Sequence, residues 1–201
     1  MTPHHAPVLL LVDDETPVLH ALHRVVHRHF GARLEVASTT SPAEARRWAA
    51  FRPFAVVMSD LRMPAYDGLR LLGEVARLQP HAALLLLTGA ADLDTALRAV
   101  NQVGVFRYLT KPWHDEDLVA HLQAALDHSQ ALQQQALAAD AWASEHGQLS
   151  PQEAERHRLE ALDPGITHVQ WGPGGEVLMP ALTPAPTTAL TPHKASNPGR
   201  P

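Results

Sequence analysis

The chain has 201 residues, 45% hydrophobic and 18% charged, with a net charge of −5; this describes one domain of ordinary core quality with some extra, and excludes a broad basic surface for nucleic acid. With no cysteine, a disulfide framework, a thiolate metal site and a cysteine nucleophile are excluded. The first apolar run, Val8–Val12, stops at Asp13 and is too short for a signal peptide or a bilayer span, so a cytoplasmic protein with no membrane contact is expected.

Val8–Val12 is continuously apolar, as in a strand buried on both faces. Thr16–Phe30 follows with Val18, Leu22, Val25, Val26 and Phe30 at helical spacing, closed by Gly31. Leu34–Ala37 reads as a second short strand. Ser41-Pro42-Ala43-Glu44 then combines an N-cap serine, proline at the first helical position and a capping-box glutamate, opening a helix to about Phe51. Phe54–Ser59 is a third buried strand. After a loop containing Pro64 and Gly68, Leu69–Leu78 reads as a helix ending before Pro80. Ala83–Leu87 is a fourth strand, Asp92–Asn101 a fourth helix and Val105–Leu109 a fifth strand, and a long helical segment starts at Asp115. Five strands alternating with five helices give an α/β fold, a doubly wound five-stranded parallel sheet with right-handed crossovers.

The last helix is expected to outrun its domain. Leu118, Leu122, Ala125, Ser129, Leu132, Ala136 and Ala139 alternate spacings of four and three, a weak heptad seam. Residues 127–147 therefore read as a helical extension, solvent-exposed or forming a homodimer. Ser150-Pro151-Gln152-Glu153 opens a short charged helix, and Ile166–Trp171 and Glu176–Met179 flank a glycine-rich turn, so residues 148–179 read as a short helix plus a β-hairpin. Residues 180–201, rich in proline and threonine, and the tail 1–6 read as outside the folded part.

Functional residues in such a fold gather outside the carboxyl ends of the strands. Those ends read Asp13-Asp14, Ser59-Asp60, Leu87-Thr88-Gly89 and Leu109-Thr110-Lys111-Pro112. Three carboxylates, a hydroxyl and an ammonium thus converge on one edge, and Lys111 is one of only two lysines in the chain. Clustered carboxylates repel one another unless a cation sits among them, and hard oxygen ligands without His or Cys suit Mg²⁺. A lysine and a hydroxyl beside that metal suit a transferring phosphoryl group, and Asp60 is best placed to be the nucleophile of an aspartyl phosphate. Each signal alone is an ordinary turn or helix cap; their joint occurrence on successive strand ends carries the reading. His20, His23 and His27 have metal-ligand spacing on the first helix, but a solvated face explains them better. Trp48, Trp113 and Trp142 read as packing residues.

The strings Leu10-Leu11-Val12-Asp13-Asp14-Glu15, Ser59-Asp60-Leu61-Arg62-Met63-Pro64-Ala65-Tyr66-Asp67-Gly68, Leu87-Thr88-Gly89 and Tyr108-Leu109-Thr110-Lys111-Pro112 resemble the receiver domain of two-component response regulators, over residues 8–126. The segments Leu87–Asp92 and Thr110–Trp113 resemble a subclass found with cyclic-di-GMP phosphodiesterase domains or in hydrogenase-type regulators. The resemblance implies a flavodoxin-like or CheY-like fold, with the receiver over 7–126. It implies that Asp60 accepts a phosphoryl group from a sensor histidine kinase or a phosphotransfer protein. It further implies Mg²⁺ held by Asp14, Asp60 and the Arg62 backbone carbonyl, with Asp13 acting mainly through metal-bound water. Lys111 and Thr88 would contact the phosphoryl oxygens, Thr88 and Tyr108 would form a switch, and the bond before Pro112 would be cis.

The expected function is a phosphorylatable switch of a protein–protein surface, acting on a downstream protein partner, without a DNA-binding output domain and without turnover of a separate substrate. A phosphate sink, or an unphosphorylated adaptor acting through the C-terminal extension, is the alternative. A haloacid-dehalogenase-type phosphohydrolase, which also forms an aspartyl phosphate, is disfavoured because Asp13 and Asp14 are adjacent where that family needs Asp-x-Asp.

Overall fold

The computed structural model describes residues 6–64, 66–89, 103–146 and 150–162. Strands β1 (Val8–Val12), β2 (Glu35–Thr39), β3 (Val56–Asp60), β4 (Ala83–Gly89) and β5 (Arg107–Lys111) form one parallel sheet in the order β2-β1-β3-β4-β5. Helices α1 (Thr16–Phe30), α2 (Pro42–Phe51), α3 (Gly68–Leu78), α4 (Asp115–Glu145) and α5 (Pro151–Leu162) complete the described elements. The expected helix over Asp92–Asn101, the hairpin after residue 162 and the tail 180–201 lie outside the described residues.

The continuous apolar runs fill two separate cores because successive side chains of a strand point to opposite faces. Leu9, Leu11, Met58, Leu85 and Leu87 pack against α1 and against Leu118, Leu122 and Ala125 of α4. Leu10, Val12, Val57, Leu84 and Leu86 pack against α2 and α3 through Ala45, Ala49, Leu71, Leu72 and Val75. Each fully buried leucine contributes about 1.5–3 kcal/mol.

Strands β2 to β5 all end one or two residues beyond the apolar runs that announce them. The ladder carries on through polar residues, pairing Thr39 with Val12, Asp60 with Leu87 and Lys111 with Gly89. Conversely Leu34, Phe54 and Val105, apolar and buried, precede their strands. Apolar periodicity reports burial, whereas strand limits follow backbone pairing. At α2 the Ser41 hydroxyl accepts the Glu44 amide as expected, but Glu44 does not reach back to Ser41. Thr39 stands between them: its hydroxyl donates to Glu44 Oε2 at 2.5 Å and accepts the Ser41 amide at 3.0 Å.

The first half of the heptad-like stripe of α4 faces the sheet. Leu118, Leu122, Ala125 and Ser129 are buried against the sheet, and the Ser129 hydroxyl donates to the His81 carbonyl at 2.8 Å. Farther along, α5 packs on α4, with His157 Nδ1 3.3 Å from Asp140 Oδ1. A cavity of about 300 Å³ lies there, at the edge of the sheet opposite the strand carboxyl ends, lined among others by Phe54, Leu78, Ala136 and His157. Trp48 and Trp113 pack on the two cores, but Trp142 is 53% exposed and stacks on His146 instead, because α4 has left the body of the domain by that turn. No described helix is long and apolar enough to cross a membrane.

Candidate functional site

The sheet order reverses at β1, so the crevice at the carboxyl ends of β1 and β3 is the natural ligand position. Asp13 leaves β1 with its side chain buried, its Oδ1 accepting the Glu15 amide at 2.9 Å. Asp60 is the last residue of β3 and 5% exposed, and its Oδ2 accepts the Arg62 amide at 2.7 Å. Lys111, the last residue of β5, reaches across the crevice to both: its Nζ lies 2.6 Å from Asp13 Oδ2 and 2.5 Å from Asp60 Oδ1. The Lys111–Pro112 peptide bond is cis. Asp14 is exposed, and among the described contacts it has no side-chain hydrogen bond.

Two carboxylates share this corner with one ammonium, and Asp14 is the next residue along the chain, so the local charge is negative. Burial holds the Asp13 carboxyl above the ordinary aspartate value, although the Lys111 and Glu15 hydrogen bonds pull it back. Burial alone would lower the Lys111 ammonium, but its bonds to Asp13 and Asp60 outweigh that and keep it above the ordinary lysine value. An excess of negative charge favours a bound proton or cation. The donor types fit a hard divalent ion: the carboxylates of Asp13 and Asp60 meet at Lys111, Asp14 adjoins Asp13 in sequence, and the Arg62 peptide lies against Asp60, although among the described residues no three such side chains are gathered as a preformed metal cluster. Mg²⁺ is therefore compatible with the residues present.

Thr88 and Tyr108 are placed by register. Leu86 pairs with Tyr108 and Thr88 with Thr110, so these side chains lie on the same face of β4 and β5. Thr88 is fully buried and, among the described residues, its hydroxyl donates to the adjacent Gly89 carbonyl at 3.1 Å. Tyr108 is half-buried beside Val103 and the α2–α3 core. The structure thus brings Asp13, Asp60 and Lys111 into direct contact, with Asp14 and Arg62 beside them and Thr88 and Tyr108 along the same edge.

Two residues that shape the site escaped the sequence reading as functional positions. Gly68, the first residue of α3, lies so close to β3 that a Cβ there would run into the Asp60 carbonyl oxygen and press on the Ser59 hydroxyl. The Ser59 hydroxyl, fully buried, donates to that same carbonyl at 3.0 Å. A glycine in a loop is too common to signal such an approach by itself. The loop between them is tightly built: the Leu61 amide donates to Leu87, the Gly68 amide to Leu61, and Arg62–Met63 pairs antiparallel with Tyr66–Asp67.

Comparison with known proteins agrees with this geometry. The family model described as response regulator receiver domain matches residues 9–123, more than half of the chain. The hydrogenase transcriptional regulatory protein HoxA of Cupriavidus necator is 32% identical over 125 residues, 62% of this chain and 25% of that protein. The DNA-binding transcriptional regulator NtrC of Escherichia coli is 34% identical over 127 residues, 63% of this chain and 26% of that protein. This chain thus spans about a quarter of the length of these curated relatives. Among solved structures, the signal receiver domain of an HD domain-containing protein from Pseudomonas fluorescens is 30% identical with a TM-score of 0.59, covering 65% of this chain and 94% of that one. A response regulator receiver domain protein from Clostridium thermocellum is also 30% identical, with a TM-score of 0.57 and coverage of 63% and 98%. A doubly wound sheet, an acidic crevice bridged by one lysine and a family match over the same residues converge, and the chain belongs to the response regulator receiver domain family.

Proposed function

We propose that the chain is a phosphorylatable switch in which Asp60 accepts a phosphoryl group from the phosphohistidine of a sensor histidine kinase or phosphotransfer protein. The observation that supports this best is the ammonium of Lys111 lying between Asp13 and Asp60. A carboxylate oxygen of Asp60 attacks phosphorus; the new P–O bond forms as the P–N bond breaks, and the electron pair leaves on the imidazole nitrogen, which takes up a proton. Lys111 follows the negative charge from the Asp60 carboxylate to the phosphoryl oxygens. Thr88, whose hydroxyl has only a weak local acceptor, turns to donate to one of those oxygens. Asp13, Asp14, Asp60 and the Arg62 carbonyl would hold Mg²⁺, which supplies neutralisation of the equatorial phosphoryl oxygens when bound.

Thr88 shares a sheet face with Tyr108, so its movement opens space into which the tyrosine ring can follow, altering the surface formed by β5 and its neighbours. A protein partner reads that surface. The DNA-binding activity in the name of NtrC belongs to a protein about four times as long as the matched segment. A second reading, an adaptor or phosphate sink acting through the extension, draws support from α5 folding back on α4.

The test is intact-mass measurement of the wild type and of Asp60→Asn after incubation with a small phosphodonor, with and without Mg²⁺. A single-phosphate adduct on the wild type alone, and only with Mg²⁺, is the expected result. No adduct under any Mg²⁺ condition refutes the proposal. Partner affinity that ignores phosphorylation would favour the adaptor reading.

A further inference from the structure

The loop that carries Arg62 is tied down at its far end by a cluster that the phosphoryl chemistry does not use. The Tyr66 hydroxyl donates to Glu74 Oε2 on α3 at 2.8 Å. Arg46 of α2 holds the same oxygen at 3.2 Å, and Arg70 Nε donates to Glu74 Oε1 at 3.3 Å while its guanidinium lies over the Tyr66 ring, 5.1 Å from the centroid. Glu74 thereby joins α2, α3 and the loop, and the loop's own pairing transmits the grip. Tyr66 pairs with Met63 and Asp67 with Arg62, and the Arg62 amide donates to Asp60 Oδ2.

We infer that Tyr66 is a positioning residue for the cation site: through Glu74 it anchors the short antiparallel pair that holds the Arg62 peptide against Asp60. The inference rests on the proposed Mg²⁺ site of Asp13, Asp14, Asp60 and Arg62. Among the described residues, further ties of the loop act at its base, through the Gly68 amide to Leu61 and the Asp67 side chain accepting the Leu69 amide. The hydroxyl of Tyr66 adds a tie from the antiparallel pair out to α3, and a phenylalanine would preserve the ring packing while losing that bond. The bond also works on its acceptor, since donation from Tyr66 is the leading reason the Glu74 carboxyl lies below the ordinary glutamate value.

The experiment compares wild type, Tyr66→Phe, Glu74→Ala and the double variant in the full chain, with Asp60→Asn as the chemical control. Two quantities are read: the Mg²⁺ midpoint from the shift of the Arg62 backbone amide by NMR, and the phosphorylation rate by a small phosphodonor as a function of Mg²⁺. Loss of one hydrogen bond that orders a ligand loop raises the Mg²⁺ midpoint by about three- to tenfold in Tyr66→Phe, leaving the rate at saturating Mg²⁺ within about twofold. The double variant should match Glu74→Ala rather than multiply the two effects. An unchanged midpoint in Tyr66→Phe overturns the inference, as does a saturating rate that falls while the midpoint stays. If the wild type shows neither an Arg62 shift nor an adduct at Asp60, the receiver chemistry itself fails and the inference with it. If the wild type shows both and Tyr66→Phe behaves identically, only the inference falls.

Discussion

Replacing Lys111 with methionine removes the ammonium that bridges two buried carboxylates. Asp13 Oδ2 and Asp60 Oδ1 both touch the same ammonium, at 2.6 and 2.5 Å, so they are at most about 5.1 Å apart; at an effective dielectric constant of about 20, two bare charges at that separation repel by roughly 3 kcal/mol. Some of this is relieved because water reaches the site once the lysine has gone and because methionine retains part of the apolar stem. A net loss of about 2 kcal/mol at pH 8 is therefore expected in urea unfolding without Mg²⁺, below the roughly 3–5 kcal/mol that breaking a fully buried pair costs. The deficit depends on pH in a definite direction. Burial already holds the Asp13 carboxyl above the ordinary aspartate value in the folded state, and without Lys111 it is raised further. An acid whose folded pKa is raised binds its proton more tightly when folded, so the penalty is absent below the unfolded value and grows as pH rises through the folded one. The variant should approach wild-type stability in acid and fall behind it toward neutrality, and millimolar Mg²⁺ at pH 8 should restore much of the difference. Equal or greater stability of Lys111→Met at pH 8 without Mg²⁺ would refute the electrostatic argument.

Gly68→Ala should lower stability by about 1–3 kcal/mol through overpacking against β3; because the pressure falls on the Asp60 backbone, the phosphorylation rate should drop as well, which mass spectrometry reads directly. Gln79→Ala should be a purely structural lesion. Its buried side chain accepts the Phe54 amide and donates to the Ala49 and Arg52 carbonyls, so its loss should cost about 2–4 kcal/mol in urea unfolding with the Mg²⁺ midpoint unchanged. Mg²⁺ binding itself should weaken as pH falls toward the raised pKa of Asp13, because proton and metal compete for that carboxylate. A Mg²⁺ midpoint that is flat from pH 7 down to pH 4, followed by NMR, would exclude Asp13 from the site.

The architecture is readable because the central strands β1, β3 and β4 are buried on both faces and so announce themselves as apolar runs, as in Val8–Val12 or Ala82–Leu87, while the edge strands β2 and β5 show shorter ones. The site was readable because Asp13, Asp60, Thr88 and Lys111 directly follow those runs, and parallel topology sends all such ends to one edge. Less legible were features that depend on distances between segments. Ser129 belongs to the heptad-like spacing, yet it is the residue that donates to the His81 carbonyl while Leu118, Leu122 and Ala125 before it bury themselves against the sheet. Tyr66 looked like one loop residue among several, because its acceptor lies on the next helix and that acceptor's second partner, Arg46, lies on the helix before. Local patterns carry periodicity and caps well; side-chain networks joining three elements leave no spacing to read.

Helix α4 begins four residues after Lys111 and continues unbroken to Glu145, so no swivel separates the crevice from the turns that carry α5. Along such a rod each residue advances the chain by about 1.5 Å and turns it by about 100°. The direction in which the last turn of α4 faces is consequently a matter of helical phase, set by how many residues lie beyond Ser129. One residue inserted between Leu132 and Ala139 would swing the following segment by more than a quarter turn, whereas seven would return it to within about 20° of its starting direction. Length and angle are therefore coupled in this extension: it can be extended by heptads with its heading nearly kept, and by other steps only with a new heading.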